Sequence, residues 1–138
     1  MIIHDVEMHD IRARGEKVRQ LLTPDLGTLA ARVAAHMKAD DVVVLDVGEV
    51  LSITGYFVIA SASNTRLARS VAEDVEARAK AELGRTPVRS EGLREQQWIL
   101  IDYGDVVVHV FLASVREFYE IERLYMDAPR LDWDGAAG

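Results

Sequence analysis

One stretch of the sequence decides the fold: Gln97-Trp98-Ile99-Leu100-Ile101-Asp102-Tyr103-Gly104-Asp105-Val106-Val107-Val108-His109-Val110-Phe111. Two runs rich in β-branched and aromatic residues flank Tyr103-Gly104, and aspartates bound that connection. The pattern predicts a β-hairpin, because glycine supplies the positive φ that a tight connection needs and the flanking residues suit a pleated surface. Both runs are apolar at nearly every position, so we expect the hairpin to lie in the middle of a sheet with helices against both faces.

The composition is typical of a single folded domain. The chain has 138 residues, of which 49% are hydrophobic, and this is enough for one core. There is no cysteine, so a disulfide framework, thiol catalysis and cysteine zinc sites are excluded. No apolar run reaches the ~18 residues that span a bilayer, and the N-terminus is acidic where a signal peptide is basic. We therefore expect a cytoplasmic protein without a membrane segment.

The net charge limits the class of partner. The formal charge is −7, and the basic residues form no cluster along the chain. A protein that binds nucleic acid directly neutralises phosphates with clustered lysine and arginine, so this function is disfavoured. An acidic protein that acts near RNA is expected to dock on a basic protein instead.

The segment before the hairpin predicts two helices and two strands. Thr23-Pro24-Asp25 has the cap, proline and acidic residue of a helix start, and the apolar stripe that follows ends near Lys38. That stripe consists of Leu26, Leu29, Ala30, Val33, Ala34 and Met37. Buried strands are predicted at Asp41–Val47 and Ile53–Ser61. A second helix follows, with Ser63 or Asn64 as its N-cap and Gly84 as its C′ residue.

The remaining segments complete a single α/β domain with a mixed sheet of about five strands and helices on both faces. Thr86-Pro87-Val88 is predicted to be an edge strand, since proline cannot donate to a ladder. Ser114 and Glu117 match a capping box, and the helix it opens is predicted to run to Tyr125 with Phe118 on its buried face. We divide the chain into an N-terminal extension (1–22), the domain (23–128) and a C-terminal tail (129–138).

The search for a catalytic or metal site gives two candidates, each with a structural alternative. Asp46, Asp102 and Asp105 follow or precede strands, where two-metal chemistry needs carboxylates, yet aspartates also end strands and form turns. His109 shares a face with Val107 and Phe111, and a lone histidine there is typical of a hydrogen-bonded core residue. No phosphate-binding loop, metal-ligand spacing or nucleophile elbow is present. We therefore predict no catalytic residue, no metal and no cofactor.

A set of large amphipathic residues offers a different kind of site. Tryptophan, tyrosine and arginine are enriched at binding hot spots, because they combine apolar area with polar groups. The alternative is ordinary core packing for the aromatic residues and solvated charge for the arginines, and the residue pattern leaves both readings open. The set comprises Trp98, Tyr103, Arg116, Tyr119 and Arg123.

Several motifs together resemble the ribosomal silencing factor family, the Iojap-like proteins. The similarity covers roughly residues 25–128, and the hairpin and the last helix are its most specific parts. The matching motifs are Asp46-Val47, Ser52-Ile53-Thr54, Tyr56-Phe57-Val58-Ile59, Ser61-x-Ser63-Asn64-x-Arg66, Glu91-Gly92, the hairpin from Trp98 to Phe111, and Arg116-x-Phe118-Tyr119-x-Ile121-Glu122-Arg123-Leu124.

The resemblance implies a fold related to nucleotidyltransferases, without their activity. It also implies a partner, large-subunit ribosomal protein number fourteen, on which the factor docks and obstructs the joining of the two ribosomal subunits when nutrients are short. On this hypothesis Trp98 and Tyr119 are aromatic anchors, and Asp102, Arg116 and Arg123 are polar or charged contacts. Tyr103 completes the predicted interaction residues.

Three residues depart from the family pattern. Gly55 replaces a common aspartate, which weakens a metal-dependent function near Asp46. Ala62 replaces a common glycine, which disfavours a tight phosphate-binding turn at Ser61–Asn64. Tyr125 replaces a tryptophan near the end of the last helix, so an aromatic side chain is kept with altered contacts.

Two alternative functions remain open at this point. One is a Mg²⁺-dependent nucleotide-binding or nucleotidyl-transfer protein that uses Asp46, Asp102 and Asp105. The other is self-association as a homodimer, through the strand edge near Thr86–Val88 or through the N-terminal segment. Calorimetry with nucleoside triphosphates tests the first alternative, and light scattering over a concentration series tests the second.

Overall fold

The computed structural model describes residues 26–51 and 54–134. Within them, five strands form one mixed sheet, which confirms the predicted α/β class and strand number. The strands are β1 (Asp40–Asp46), β2 (Tyr56–Ala62), β3 (Arg89–Glu91), β4 (Trp98–Asp102) and β5 (Val106–Leu112). The helices are α1 (residues 26–36), α2 (Thr65–Leu83) and α3 (Ala113–Tyr119), followed by a 3-10 helix, Ile121–Tyr125.

The predicted hairpin is confirmed as β4 and β5, and β5 is the central strand of the sheet. The strand order is β1-β2-β5-β4-β3, with β5 parallel to β2 and antiparallel to β4. Trp98 lies opposite Phe111, and Asp102 lies opposite Val107. Tyr103 donates its backbone N–H to the carbonyl of Val106 at 2.9 Å, and Gly104 has a φ of +92°. The glycine therefore provides the positive φ for which the pattern predicted it.

One face of the sheet is covered by α1 and α2. The apolar side chains of these helices pack against alternate residues of the strands, among them Val58, Ile99, Ile101 and Val108. The α2 caps are local and match the prediction: Asn64 Oδ1 accepts the Leu67 N–H at 2.8 Å, and Gly84 ends the helix with a φ of +65°. No helix in the described part of the chain is both long and apolar enough to cross a membrane.

The opposite face carries a smaller apolar cluster under α3 and the 3-10 helix. Its buried members are Leu45, Val47, Phe57, Ile59, Phe111, Ile121 and Ala128. His109 lies on this face, as the strand alternation predicts, and Trp98 and Tyr125 pack at its margin. Both faces are therefore covered, but the second only by short helical segments.

The last helix differs from its prediction. The cap position of α3 is Leu112 and not Ser114, with no side-chain cap hydrogen bond, so the predicted capping box is wrong. The α-helix stops at Tyr119, because Glu120 adopts a left-handed conformation with a φ of +47°. Residues 121–125 continue as a 3-10 helix, so the predicted single helix to Tyr125 is also wrong.

Residues beyond the predicted domain boundary at 128 continue to pair with the sheet. Residues 129–133, which the sequence analysis places in a tail, follow β1: Leu131 N–H donates to Val44 O at 2.9 Å, and Trp133 Nε1 donates to Val42 O at 3.1 Å. The edge strand β3 begins at Arg89, directly after the predicted Thr86–Val88. The extension at 1–22, the helix start at Thr23–Asp25 and Ile53 lie outside the described residues.

Candidate docking surface

Aromatic side chains cross the second face of the sheet and reach its surface at Trp98. This tryptophan is the first residue of β4 and is half-buried. Its ring centroid lies 4.6 Å from that of Phe111, its cross-strand neighbour, and 6.0 Å from that of His109. Its indole nitrogen Nε1 donates to Nδ1 of His109 at 3.1 Å. Trp98 is therefore held from the sheet side by a ring contact and a hydrogen bond.

Tyr119 joins Trp98 from the last turn of α3. The two ring centroids are 5.2 Å apart, and Phe118 follows with its centroid 5.0 Å from that of Tyr119. Phe118 is 78% exposed and Tyr119 is 54% exposed. We call these three residues, Trp98, Phe118 and Tyr119, the aromatic surface. Contiguous apolar surface is characteristic of interaction sites, so the aromatic surface is the candidate docking site.

Two further apolar residues are exposed in the segment that follows. Leu124 is 74% exposed and Met126 is 76% exposed. They flank Tyr125, which instead packs inward with its ring 5.2 Å from that of Phe57. Tyr125, a departure from the family pattern, thus fixes the 3-10 helix to β2 and leaves its neighbours exposed.

Arg116 explains why this segment has its shape. Its side chain is only 8% exposed and donates to the carbonyl oxygen of Asp41 at 2.7 Å and to Ser61 Oγ at 2.8 Å. It also donates to both carboxylate oxygens of Glu122. The guanidinium therefore ties α3 and the 3-10 helix to β1 and β2, and it holds the pKa of Glu122 below its ordinary value.

The other predicted interaction residues are dispersed. Arg123 is exposed and pairs with Glu120 at 3.0 Å. Asp102 lies at the far end of β4 from Trp98, where it accepts from Arg89 Nε at 3.2 Å. Tyr103 is buried beneath Arg85, and burial raises the pKa of its phenol to about 12. The structure thus brings Trp98 and Tyr119 together, with Arg123 on the adjoining segment, whereas Tyr103 and Arg116 lie inside.

The three aspartates of the enzymatic alternative have structural partners. Asp46 accepts the backbone N–H of Gly48 at 3.1 Å, and Asp102 accepts that of Gly104 at 2.8 Å. Asp105 pairs with Arg85 at 2.5 Å. Among residues 26–51 and 54–134, no group of three histidine, aspartate or glutamate side chains is arranged to hold a metal ion. These observations favour the turn-forming role of the aspartates.

Sequence reasoning missed Phe118, Leu124 and Met126 as exposed residues, and it placed Phe118 on the buried face. A usable signal was present, since the segment from Val115 to Met126 holds more large apolar side chains than one helical stripe can bury. Such an excess indicates either a break in the helix or a second partner. Here the break at Glu120 turns part of the set outward.

Comparison with known proteins identifies relatives over most of the chain. Residues 21–137 match the family model described as "Ribosomal silencing factor during starvation". The chain is 34% identical over 106 residues to Ribosomal silencing factor RsfS from Bacillus subtilis, which covers 77% of this chain and 89% of that protein. It is 33% identical over 89 residues to Mitochondrial assembly of ribosomal large subunit protein 1 from Mus musculus, covering 63% of this chain and 39% of that protein.

A solved structure has a similar fold to that of this chain. The crystal structure of a Chromobacterium violaceum protein superposes with a TM-score of 0.69 at 35% sequence identity. It covers 72% of this chain and 82% of that one.

Proposed function

Because this chain belongs to the ribosomal silencing factor family, we propose that it binds the large ribosomal subunit and represses translation without catalysing a reaction. We infer that it docks on a protein of that subunit. The family resemblance implies that this protein is large-subunit ribosomal protein number fourteen. The bound factor obstructs the joining of the small subunit when nutrients are limiting. We place this activity in the cytoplasm.

The observation that carries the proposal is the aromatic surface. Trp98, Phe118 and Tyr119 form a continuous run of ring contacts, with centroid separations of 5.2 and 5.0 Å. Tryptophan and tyrosine dominate binding hot spots, because a rigid ring buries a large area at little entropic cost. Trp98 is held by the sheet, so little reorganisation is needed when a partner covers it.

Charge supports a basic protein as the partner. The chain carries a formal charge of −7, and acidic residues adjoin the aromatic surface on its own segment, among them Glu117 and Glu120. Opposite charges on two surfaces raise the association rate and set the orientation, while the apolar centre provides affinity. A repressor that acts by blocking subunit joining needs only a binding interface of this kind and no catalytic site.

The enzymatic alternative has weaker support. Its three aspartates accept hydrogen bonds from backbone N–H groups or pair with arginine, and a carboxylate engaged in this way is less available to a metal ion. Titration with nucleoside triphosphate and Mg²⁺ in a calorimeter remains the direct test of that alternative. We expect no binding heat.

Cosedimentation with purified large subunits tests the proposal. We expect the wild-type chain to sediment with large subunits at micromolar concentration and moderate salt, and to reduce subunit joining when titrated. Tyr119→Ala is expected to weaken binding roughly thirtyfold, the effect of a hot-spot residue worth about 2 kcal/mol. The variant must keep the wild-type thermal midpoint. Failure of the wild-type chain to sediment at these concentrations would overturn the proposal.

A further inference from the structure

His109 is one of two buried residues of β5, with Phe111, whose rings contact Trp98 from inside the sheet. It lies on β5, with its ring centroid 4.6 Å from that of Phe57 and 6.1 Å from that of Phe111. Its Nδ1 accepts the indole N–H of Trp98 at 3.1 Å. The imidazole is 3% exposed, so this acceptor is fixed by the core and not by solvent.

The geometry determines the tautomer of this histidine. A neutral imidazole that accepts at Nδ1 carries its proton at Nε2. Nε2 is buried and has no hydrogen-bond partner among the described residues. Burial lowers the pKa of His109 to about 4, against the opposing effect of Asp102, the carboxylate that acts on it. The ring is therefore neutral near pH 7, and Nδ1 is available as an acceptor.

We propose that His109 is a positioning residue for the docking surface, and that its Nδ1 holds the Trp98 indole in the orientation that contacts Tyr119. The inference rests on the proposed function, because it assigns His109 a role in the same surface. A tryptophan without a partner for Nε1–H turns that group towards water, since a buried unpaired donor is unfavourable. Turning the indole would separate it from the Tyr119 ring and break the aromatic surface.

Two substitutions with the same heavy-atom branching separate this role from simple core packing. His109→Asn keeps an acceptor but removes volume, whereas His109→Leu removes the acceptor and keeps an apolar side chain of about the size of histidine. The asparagine variant presents Oδ1, which is bonded to Cγ as Nδ1 is in histidine, whereas the leucine variant presents no acceptor. If His109 only filled space, His109→Leu would bind large subunits at least as tightly as His109→Asn, because a buried amide without a partner lowers the stability of the fold.

The first readout is the indole N–H resonance in a protein labelled with ¹⁵N at tryptophan. The chain has 2 tryptophans, and the indole of Trp133 donates to Val42 O at 3.1 Å, which makes it an internal reference. We expect His109→Leu to shift the Trp98 signal and speed its hydrogen exchange while the Trp133 signal stays in place. His109→Asn should retain a protected Trp98 signal.

The second readout is affinity for large subunits. We expect His109→Leu to bind about tenfold more weakly than the wild-type chain, equivalent to about 1.4 kcal/mol, and His109→Asn to recover most of that loss. In a Trp98→Phe background, which has no indole N–H, His109→Asn should bind no more tightly than His109→Leu. Equal affinity of His109→Leu and wild type, or equal weakening by both substitutions, would overturn the positioning role.

The two readouts keep this proposal distinct from the proposed function. If the wild-type chain does not bind large subunits, the function fails, whereas the resonance still decides whether Nδ1 holds the indole. If binding is normal and His109→Leu leaves the Trp98 signal unchanged, the positioning role fails alone.

Discussion

The guanidinium of Arg116 bonds to both carboxylate oxygens of Glu122, at 3.1 Å and 2.5 Å, across the left-handed residue Glu120. This pair closes the turn between α3 and the 3-10 helix. Because Phe118 and Tyr119 precede the turn and Leu124 and Met126 follow it, the ion pair determines how the exposed apolar residues are presented.

Arg116 is expected to matter more for stability than any exposed arginine. Arg116→Met leaves Glu122, Ser61 Oγ and Asp41 O without their donor, so we expect the free energy of unfolding to fall by about 3 kcal/mol. Arg123→Met is the matched control, because its pair with Glu120 is solvent-exposed and should change stability by less than about 0.5 kcal/mol. Urea denaturation measures both values. Equal effects would contradict the internal role of Arg116.

Phe118 is expected to affect binding without affecting stability. Its ring is 78% exposed, so Phe118→Ala should leave the thermal midpoint within the error of the measurement and should weaken large-subunit binding about tenfold, a loss of about 1.4 kcal/mol. Val88 is the control, since it is 74% exposed beside the edge strand β3, away from α3. Val88→Ala should bind as the wild-type chain does. Similar affinities for the two variants would count against the aromatic surface.

Stability should depend on pH through His109. Its pKa is lowered from 6.5 to about 4 by burial, so below pH 6.5 the unfolded chain binds a proton that the folded chain does not. The contribution of the neutral His109 to the free energy of unfolding is therefore fully present above pH 6.5. It is lost as the pH drops towards 4, by roughly 3 kcal/mol in total. Denaturation at several pH values should show this slope in the wild-type chain and lose it in His109→Leu. A slope that persists in the variant would assign it to other groups.

Glu122 should contribute at lower pH. Its pKa is held below the ordinary value of 4.5 by the hydrogen bond from Arg116. A lowered carboxyl pKa stabilises the folded state above pH 4.5, and that contribution disappears as the pH falls through the folded-state value. Glu122→Gln should therefore flatten the acid limb of the stability curve, measured by denaturation at several pH values, and leave the region above pH 4.5 with its His109-dependent slope.

Gly92 should tolerate no side chain. A Cβ at this position would lie 1.9 Å from the carbonyl oxygen of Trp98, and the residue has a φ of +82°. Gly92→Ala is expected to lower the free energy of unfolding by about 3 kcal/mol or more. The new methyl group would overlap the Trp98 carbonyl, so the backbone of one of the two segments would have to move. Gly84→Ala has a similar φ of +65° but open space around its Cβ, so it should cost only about 1 kcal/mol. Thermal denaturation of both variants checks this difference.

The predictable parts of the fold were those governed by neighbours in sequence. Tyr103-Gly104 specifies its own turn, and Asn64 caps α2 through a residue three positions away. The end of α3 is different, because Arg116 is held by Asp41 and Ser61, which are distant in sequence. Helical periodicity contains no information about such contacts, so the predicted helix ran on to Tyr125.

The candidate docking surface could also be predicted from the sequence only in part. Trp98 and Tyr119 were chosen for their chemistry, and the structure places their rings in contact. Arg116 has the same chemistry but is used internally, and Phe118 was assigned to the wrong face because the helix was assumed to continue. Residue type indicates what a side chain can bind, whereas exposure depends on the tertiary path of the chain.

The segment that follows Ala128 has a consequence for how the chain folds during synthesis. Pro129 and Leu131 bond to Asp46 and Val44 along the outer edge of β1, and Tyr56 of β2 pairs with Val106 of β5. Neither the centre of the sheet nor its first edge can be completed until residues far along the chain are available. We therefore expect a nascent chain that ends before β5 to expose unpaired strand edges, which are prone to aggregation. Productive folding has to wait for almost the whole domain.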